Sequence, residues 1–151
     1  MKKILTTLFL TLAIIGTTIV CSASPEPKAN SAVLATLSGE QIIYSKNMDS
    51  KVAPAEFTKL MTAYTVYKLY GMNTEVKVSD NLSDYTHYSD ASMKLKAGEV
   101  LTTGNLIAGM LVEQANDAVY AVALQYGGIE KFVAKMNEYA KGLEMKNTVF
   151  T

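Results

Sequence analysis

The chain has no arginine. All 14 basic residues are lysine, and with 14 acidic residues they give a formal net charge of zero. Without a basic excess there is no electrostatic footprint for nucleic acid. There is one cysteine, Cys21, which allows no intrachain disulfide. There is one histidine, His87, set among Ser, Asp and Tyr residues. No partners at metal-ligand spacing accompany it, so it reads as a solvated loop residue. No internal repeat, low-complexity tract or cofactor motif occurs, and no cofactor is implied.

What is present describes one globular domain behind a leader. The 151 residues are 49% hydrophobic and 19% charged, enough for a real core. Lys2 and Lys3 precede an apolar run from Ile4 to Val20, and Cys21-Ser22-Ala23 comes next. That is the pattern of a signal peptide over residues 1–23, cut after Ala23. Two other readings stand beside it: an uncleaved membrane anchor, since the run approaches spanning length, and a lipoprotein cysteine at Cys21. Val20 is a poor residue before such a cysteine. Cleavage would leave 12 lysines against 14 acids, a net charge of −2, and no cysteine.

Residues 24–30 contain Pro25 and Pro27 and read as a linker. Ser31–Thr36 and Gln41–Ser45 have strand composition around Ser38-Gly39-Glu40, which predicts a hairpin over Ser31–Ser45. Pro54 then stands just outside a helix start, where its missing N–H is harmless. Glu56 suits the positive end of that helix, and Leu60, Ala63, Tyr64 and Tyr67 recur at helical spacing up to a stop at Gly71. Residues 73–79 read as a short extended stretch and residues 80–90 as polar turns. Thr103 is placed to cap a helix bearing Leu106, Ile107, Met110 and Leu111. Further helices are expected over Asn116–Tyr126, ended by Gly127-Gly128, and over Ile129–Lys141, ended by Gly142.

The words inside these elements are specific. Pro54-Ala55-Glu56-Phe57-Thr58-Lys59-Leu60-Met61-Thr62-Ala63 strongly resembles the active-site segment of the D-alanyl-D-alanine carboxypeptidases, the low-molecular-mass penicillin-binding proteins. Tyr44-Ser45-Lys46-Asn47, the stretch Ser92-Met93-Lys94-Leu95-Lys96-Ala97-Gly98-Glu99, and Met145-Lys146-Asn147-Thr148-Val149-Phe150 resemble other phrases of that family, in order. The resemblance spans nearly all of residues 31–150, about half of a catalytic domain. It implies an α+β chain, the N-terminal half of a β-lactamase/transpeptidase-like fold, with a short hairpin and then a mainly helical part over residues 31–151.

The resemblance also implies site residues, and here the sequence departs from the family. The family's helix opens with Ser-x-x-Lys, in which the serine is the acyl-enzyme nucleophile and the lysine a candidate base. Lys59 matches the lysine, but the serine position holds Glu56. In the family's Ser-x-Asn motif the serine relays a proton and the asparagine holds the substrate backbone. Asn116 matches, but the serine position holds Gln114, and an amide cannot shuttle a proton as a hydroxyl can. No Lys-Thr-Gly, the family's third motif, occurs in this sequence. Taken in isolation, Lys59 is an ordinary helix lysine and Asn116 an ordinary helix cap.

Attack by the Glu56 carboxylate on an amide would give a mixed anhydride, an uphill product. A carboxylate one turn away is also expected to pair with Lys59 and remove it as a base. Thr58 points to a different helix face and cannot stand in. Glu56 and Lys59 are expected to form an ion pair at a helix start, worth ~0.3–1 kcal/mol if exposed. Two classes of function remain: a peptidoglycan carboxypeptidase, split or once active, and an exported non-catalytic relative that binds cell-wall stem peptide or a cell-envelope protein. The family's remaining strands come from its C-terminal half, so the hairpin is expected to leave an edge open. A complementing C-terminal half or a homodimer would cover it.

The leader reading is checked by intact mass of exported protein. The expected mature chain begins at Ser24, and a mass that retains residues 1–23 would refute it.

Overall fold

A computed structural model describes residues 26–87 and 90–151. The expected signal peptide lies outside the described residues. The chain divides after Val52 into a hairpin unit and a helical unit.

In the hairpin unit, β1 (Ala32–Ala35) pairs antiparallel with β2 (Ile42–Lys46), with Ala32 opposite Lys46 and Leu34 opposite Tyr44. The register shifts after Leu34, so Ala35 faces Ile42. The turn forms where expected. Gly39 takes φ 72, and its N–H donates to Thr36 O at 2.8 Å. At the open end Asn47 adopts φ 47, a conformation asparagine tolerates well, and its Nδ2 donates to Asn30 O at 2.8 Å. Lys46 Nζ donates to Pro27 O at 2.9 Å. The stretch read as a linker is therefore tied to the strand end over residues 26–30.

The helical unit begins with α1 (Phe57–Tyr70). Pro54 and Ala55 open it: the Phe57 N–H donates to Pro54 O and the Thr58 N–H to Ala55 O. Glu56 is the N-cap residue, one position earlier than a first-turn acid, and its side chain makes no cap hydrogen bond. Gly71 ends the helix at φ 68, as its place in the sequence predicts. The buried face is only partly the expected one, which Ala63 joins. Met61, Thr62, Ala63, Thr65 and Val66 point inward, while Leu60 and Tyr67 are 56% and 55% exposed. The two threonines bury at no polar cost because their hydroxyls donate to the carbonyls of Thr58 and Met61 one turn back.

The extended stretch becomes β3 (Glu75–Lys77), and it has a partner the sequence did not disclose. β4 (Val100–Thr102) runs antiparallel to it, with Val76 opposite Leu101. Val76 and Val78 are each 1% exposed, so this small ribbon belongs to the core. β4 leads straight into α2 (Thr103–Val112). The cap is Thr102 and not Thr103: the Thr102 oxygen accepts from the Asn105 N–H at 3.2 Å. Thr103 is fully buried, and its hydroxyl donates to Gly71 O at 2.8 Å, fastening the start of α2 to the end of α1.

α3 (Asn116–Gln125) is the central helix, with Ala118, Ala121 and Val122 fully buried. Gly127 and Gly128, both at φ 113, turn the chain into α4 (Ile129–Gly142), which buries Phe132, Met136 and Ala140. Val66, Leu106, Met110, Val122, Phe132 and Met136 join all four helices in one apolar cluster. The segment after α4 is also held: Asn137 donates to Phe150 O and accepts from the Phe150 N–H, each at 2.9 Å.

The α1–α2 junction makes a demand on one glycine. A Cβ on Gly104 would lie 2.9 Å from the Met72 carbonyl oxygen, which already accepts the Gly104 N–H. That neighbour is backbone and cannot rotate away. Gly104→Ala is expected to cost about 1–3 kcal/mol in urea unfolding, outweighing the up to ~1 kcal/mol that alanine gains in a helix. An unchanged midpoint would show that the junction relaxes freely.

Candidate functional site

The first pair of site residues meets as the sequence predicts. Lys59 Nζ donates to Glu56 Oε2 at 2.5 Å, one turn apart at the start of α1. The Lys59 side chain is only 12% exposed, whereas Glu56 is 68% exposed. The pair is thus a lysine folded against the helix with a solvated carboxylate over it. The lysine's head group is engaged by the Glu56 carboxylate. Thr58, between them in sequence, contributes its carbonyl to the Thr62 hydroxyl.

The second pair lies at the corner between α2 and α3. Gln114 is exposed, takes φ 56 and donates from Nε2 to Leu111 O at 3.3 Å. Asn116 is the first residue of α3 and does not cap it; the N-cap is Ala115, whose side chain has no polar atom. The Asn116 backbone N–H donates to Ala91 O at 2.8 Å. Its side chain is half-buried and makes no hydrogen bond among the described residues. Among these residues no hydrogen bond or ion pair links Glu56 or Lys59 to Gln114 or Asn116.

Next to Asn116 sits the residue that sequence reasoning passed over. Asp117 is 3% exposed and charged by type, yet every lone-pair direction of its carboxylate is used. Oδ1 accepts from the Met93 N–H at 3.0 Å and the Ala118 N–H at 2.9 Å. Oδ2 accepts from the Ser92 hydroxyl at 2.7 Å and the Leu95 N–H at 3.0 Å. Ser92 Oγ in turn accepts the Lys94 N–H at 2.9 Å, which supports Lys94 in its left-handed conformation at φ 59. Residues 91–95 are therefore latched onto the first turn of α3 at both Asn116 and Asp117. An acid in a first helical turn was visible in the sequence. Three of its partners were not, because they are two backbone N–H groups and a hydroxyl more than twenty residues upstream.

A cavity of about 510 Å³ lies beside this latch, lined by Asp80, Leu82, His87, Lys94, Leu95 and Asp117 among others. Its lining does not include Glu56, Lys59, Gln114 or Asn116. His87 is exposed there, as expected. Among the described residues no group of three or more His, Cys, Asp or Glu side chains is placed to hold a metal ion, and no helix is long and apolar enough to cross a membrane.

The latch makes a graded expectation. In Asp117→Asn an amide nitrogen would replace one carboxylate oxygen. Set opposite the Leu95 N–H, it leaves a buried donor unpaired and removes the charge from the rest. The expected loss in urea unfolding is about 2–4 kcal/mol, against about 0.5–1.5 kcal/mol for Ser92→Ala, which removes one donor. Equal losses for the two variants would contradict the latch.

Comparison with known proteins agrees with this architecture. A family model described as D-alanyl-D-alanine carboxypeptidase matches residues 18–151. The D-alanyl-D-alanine carboxypeptidase DacF of Bacillus subtilis is 34% identical over 127 residues, covering 82% of this chain and 32% of its own length. Among solved structures, penicillin binding protein 5 from Haemophilus influenzae matches with TM-score 0.74 at 28% identity, over 85% of this chain and 39% of that one. A variant of the Streptomyces K15 DD-transpeptidase matches with TM-score 0.76 at 26% identity, over 84% of this chain and 53% of that one. The chain thus spans between about a third and about half the length of these relatives, and the fold is α+β of the penicillin-binding-protein type. On the match over residues 18–151, the chain belongs to the D-alanyl-D-alanine carboxypeptidase family.

Proposed function

We propose that this chain is an exported, non-acylating member of its family, acting on the cell wall by binding stem peptide or an envelope partner and not by trimming it. The observation that carries the reading is the Glu56–Lys59 pair. Acyl transfer needs a nucleophile, a base and an oxyanion hole. At the nucleophile position stands a carboxylate, and it occupies the ammonium of the residue that would serve as base. At the relay position stands Gln114, turned in a left-handed bend and bonded to its own helix end. Further chain beyond Thr151 would repair neither defect. A continuation bearing Lys-Thr-Gly would supply a strand but no hydroxyl at either place.

The export reading rests on the leader pattern of residues 1–23 and on relatives named as penicillin-binding proteins and D-alanyl-D-alanine carboxypeptidases. The second reading, one half of a split carboxypeptidase, is favoured by Lys59 and Asn116, which stand where the resemblance implies the family's lysine and asparagine.

Gel fluorescence with a labelled penicillin tests the non-acylating reading. A strained lactam reports any activated hydroxyl at the site. The expected result is no band with the wild-type chain or with Glu56→Ser, beside a strong band from an active relative. Groups that act as a unit are not recovered singly, so one restored serine opposite Gln114 is not enough. A stoichiometric wild-type band would overturn the proposal. A band only in Glu56→Ser would keep Glu56 as the cause and remove Gln114 from the account.

A further inference from the structure

The cavity beside the Asp117 latch is the larger of two that adjoin. A second, of about 300 Å³, is lined by Lys77, Val78, Leu124 and Gln125 and shares Ser79 and Asp80 with the first. On α3, Asp117, Tyr120 and Leu124 follow one another at spacings of three and four, so they lie along one helix face. Asp117 lines the first cavity and Leu124 the second. Between them Tyr120 stacks on Tyr85 of the short 3-10 helix Leu82–Tyr85, with ring centroids 5.7 Å apart and planes at 30°. Tyr85 is 37% exposed. Together they make one elongated groove within the helical unit, bordered by an aromatic pair.

The groove mixes apolar surface with unspent polar groups. Leu82 is buried with Val78 and Ala121, and Leu95 and Leu124 pack against them. Beside these stand the Asp80 carboxylate and the Ser83 and Thr86 hydroxyls, which make no hydrogen bond among the described residues. An apolar ligand would strip these groups of water and leave them unpaired. A metal ion is disfavoured, because among the described residues no three His, Cys, Asp or Glu side chains are gathered to hold one. An anion is disfavoured too, because Asp80, Asp90 and Asp117 outnumber Lys94 in the larger cavity. None of the residues lining that cavity belongs to a strand, so it offers no ladder edge to an extended peptide.

A saccharide fits what remains. Each of its hydroxyls donates and accepts, which a carboxylate and side-chain hydroxyls can meet. Its C–H faces are apolar and suit leucine and tyrosine surface. A site of this size takes a ligand through an apolar wall and a few placed polar groups. We infer that the groove running from Asp117 past Tyr120 to Leu124 binds a saccharide chain. Asp80 lines both cavities, so it is the acceptor at the centre, shared by ring units on either side. The Tyr85–Tyr120 pair packs along the border. The lining holds none of Glu56, Lys59, Gln114 and Asn116, so occupancy of the groove is independent of stem peptide at those residues and of whether the chain acylates.

Amide chemical-shift mapping by NMR on the exported chain tests this. The probes are chitohexaose and cellohexaose, a saccharide chain with and without acetamido groups. At least one is expected to move amides of residues 79–87, 90–97 and 117–125, which surround the groove, and to leave those of 56–60 in place. Asp80→Ala is expected to weaken that binding about tenfold, and exposed Glu130→Ala to leave it unchanged. Ser83→Ala, at a second exposed position, is expected to weaken it severalfold and decides the matter if Asp80→Ala does not fold. No shifts with either saccharide, shifts centred outside the groove, or binding that survives both substitutions unchanged would overturn the inference. So would movement of the same amides by a stem pentapeptide ending in D-alanyl-D-alanine when neither saccharide moves them, because the occupant would then be a peptide. Penicillin labelling, which decides the functional proposal, leaves these outcomes untouched.

Discussion

The helical unit depends on one buried carboxylate. Asp117 sits at the start of the central helix and takes hydrogen bonds from Ser92, Met93, Leu95 and Ala118. A charge of this kind in an apolar interior is tolerated only when its lone pairs are met, and here three backbone N–H groups and a hydroxyl meet them. The gain runs both ways. The carboxylate is held without a basic partner, and an irregular segment with no helix or strand of its own acquires a fixed path. Met93, delivered by that path, packs on α2 where a side chain at Gly109 would collide with its sulfur. Leu95 reaches the apolar clusters beside α3. The placement of Asn116 follows as well, since its N–H closes the same latch on Ala91.

Local signals were legible and distant ones were not. The turn at Gly39 and the stops at Gly71 and Gly127-Gly128 sit at positions that need positive φ, and sequence alone locates them. The α4 stripe is a clean amphipathic repeat, and Phe132, Met136 and Ala140 are its buried side. On α1 the same rule misled. Leu60 and Tyr67 are the larger apolar residues, but Thr62 and Thr65 are buried in their place, because their hydroxyls are satisfied within the helix. β4 escaped notice because Val100-Leu101-Thr102 is too short to show a period and its pairing with β3 is a long-range event. The cap moved by one residue, from Thr103 to Thr102, since adjacent threonines are equal candidates until burial separates them.

The candidate site was legible as residue identities and not as geometry. That Glu56 and Lys59 pair follows from helical spacing. That Lys59 is the sheltered member and Glu56 the solvated one is a property of the fold. Asp117 was one residue from Asn116 in the motif and was read past, because its role is to bind backbone and backbone leaves no mark in a sequence. The proposed non-acylating role rests on one contact at the start of α1, the Lys59 amine bonded to the Glu56 carboxylate.

The most direct measurement of that claim is release of D-alanine. The purified chain is incubated with a synthetic peptide ending in D-alanyl-D-alanine, and free D-alanine is followed against a buffer blank and against Lys59→Met. The account predicts the same blank-level signal for wild type and variant. Release by the wild type that Lys59→Met abolishes would contradict it, because Lys59 would then be acting as a base despite its bond to Glu56.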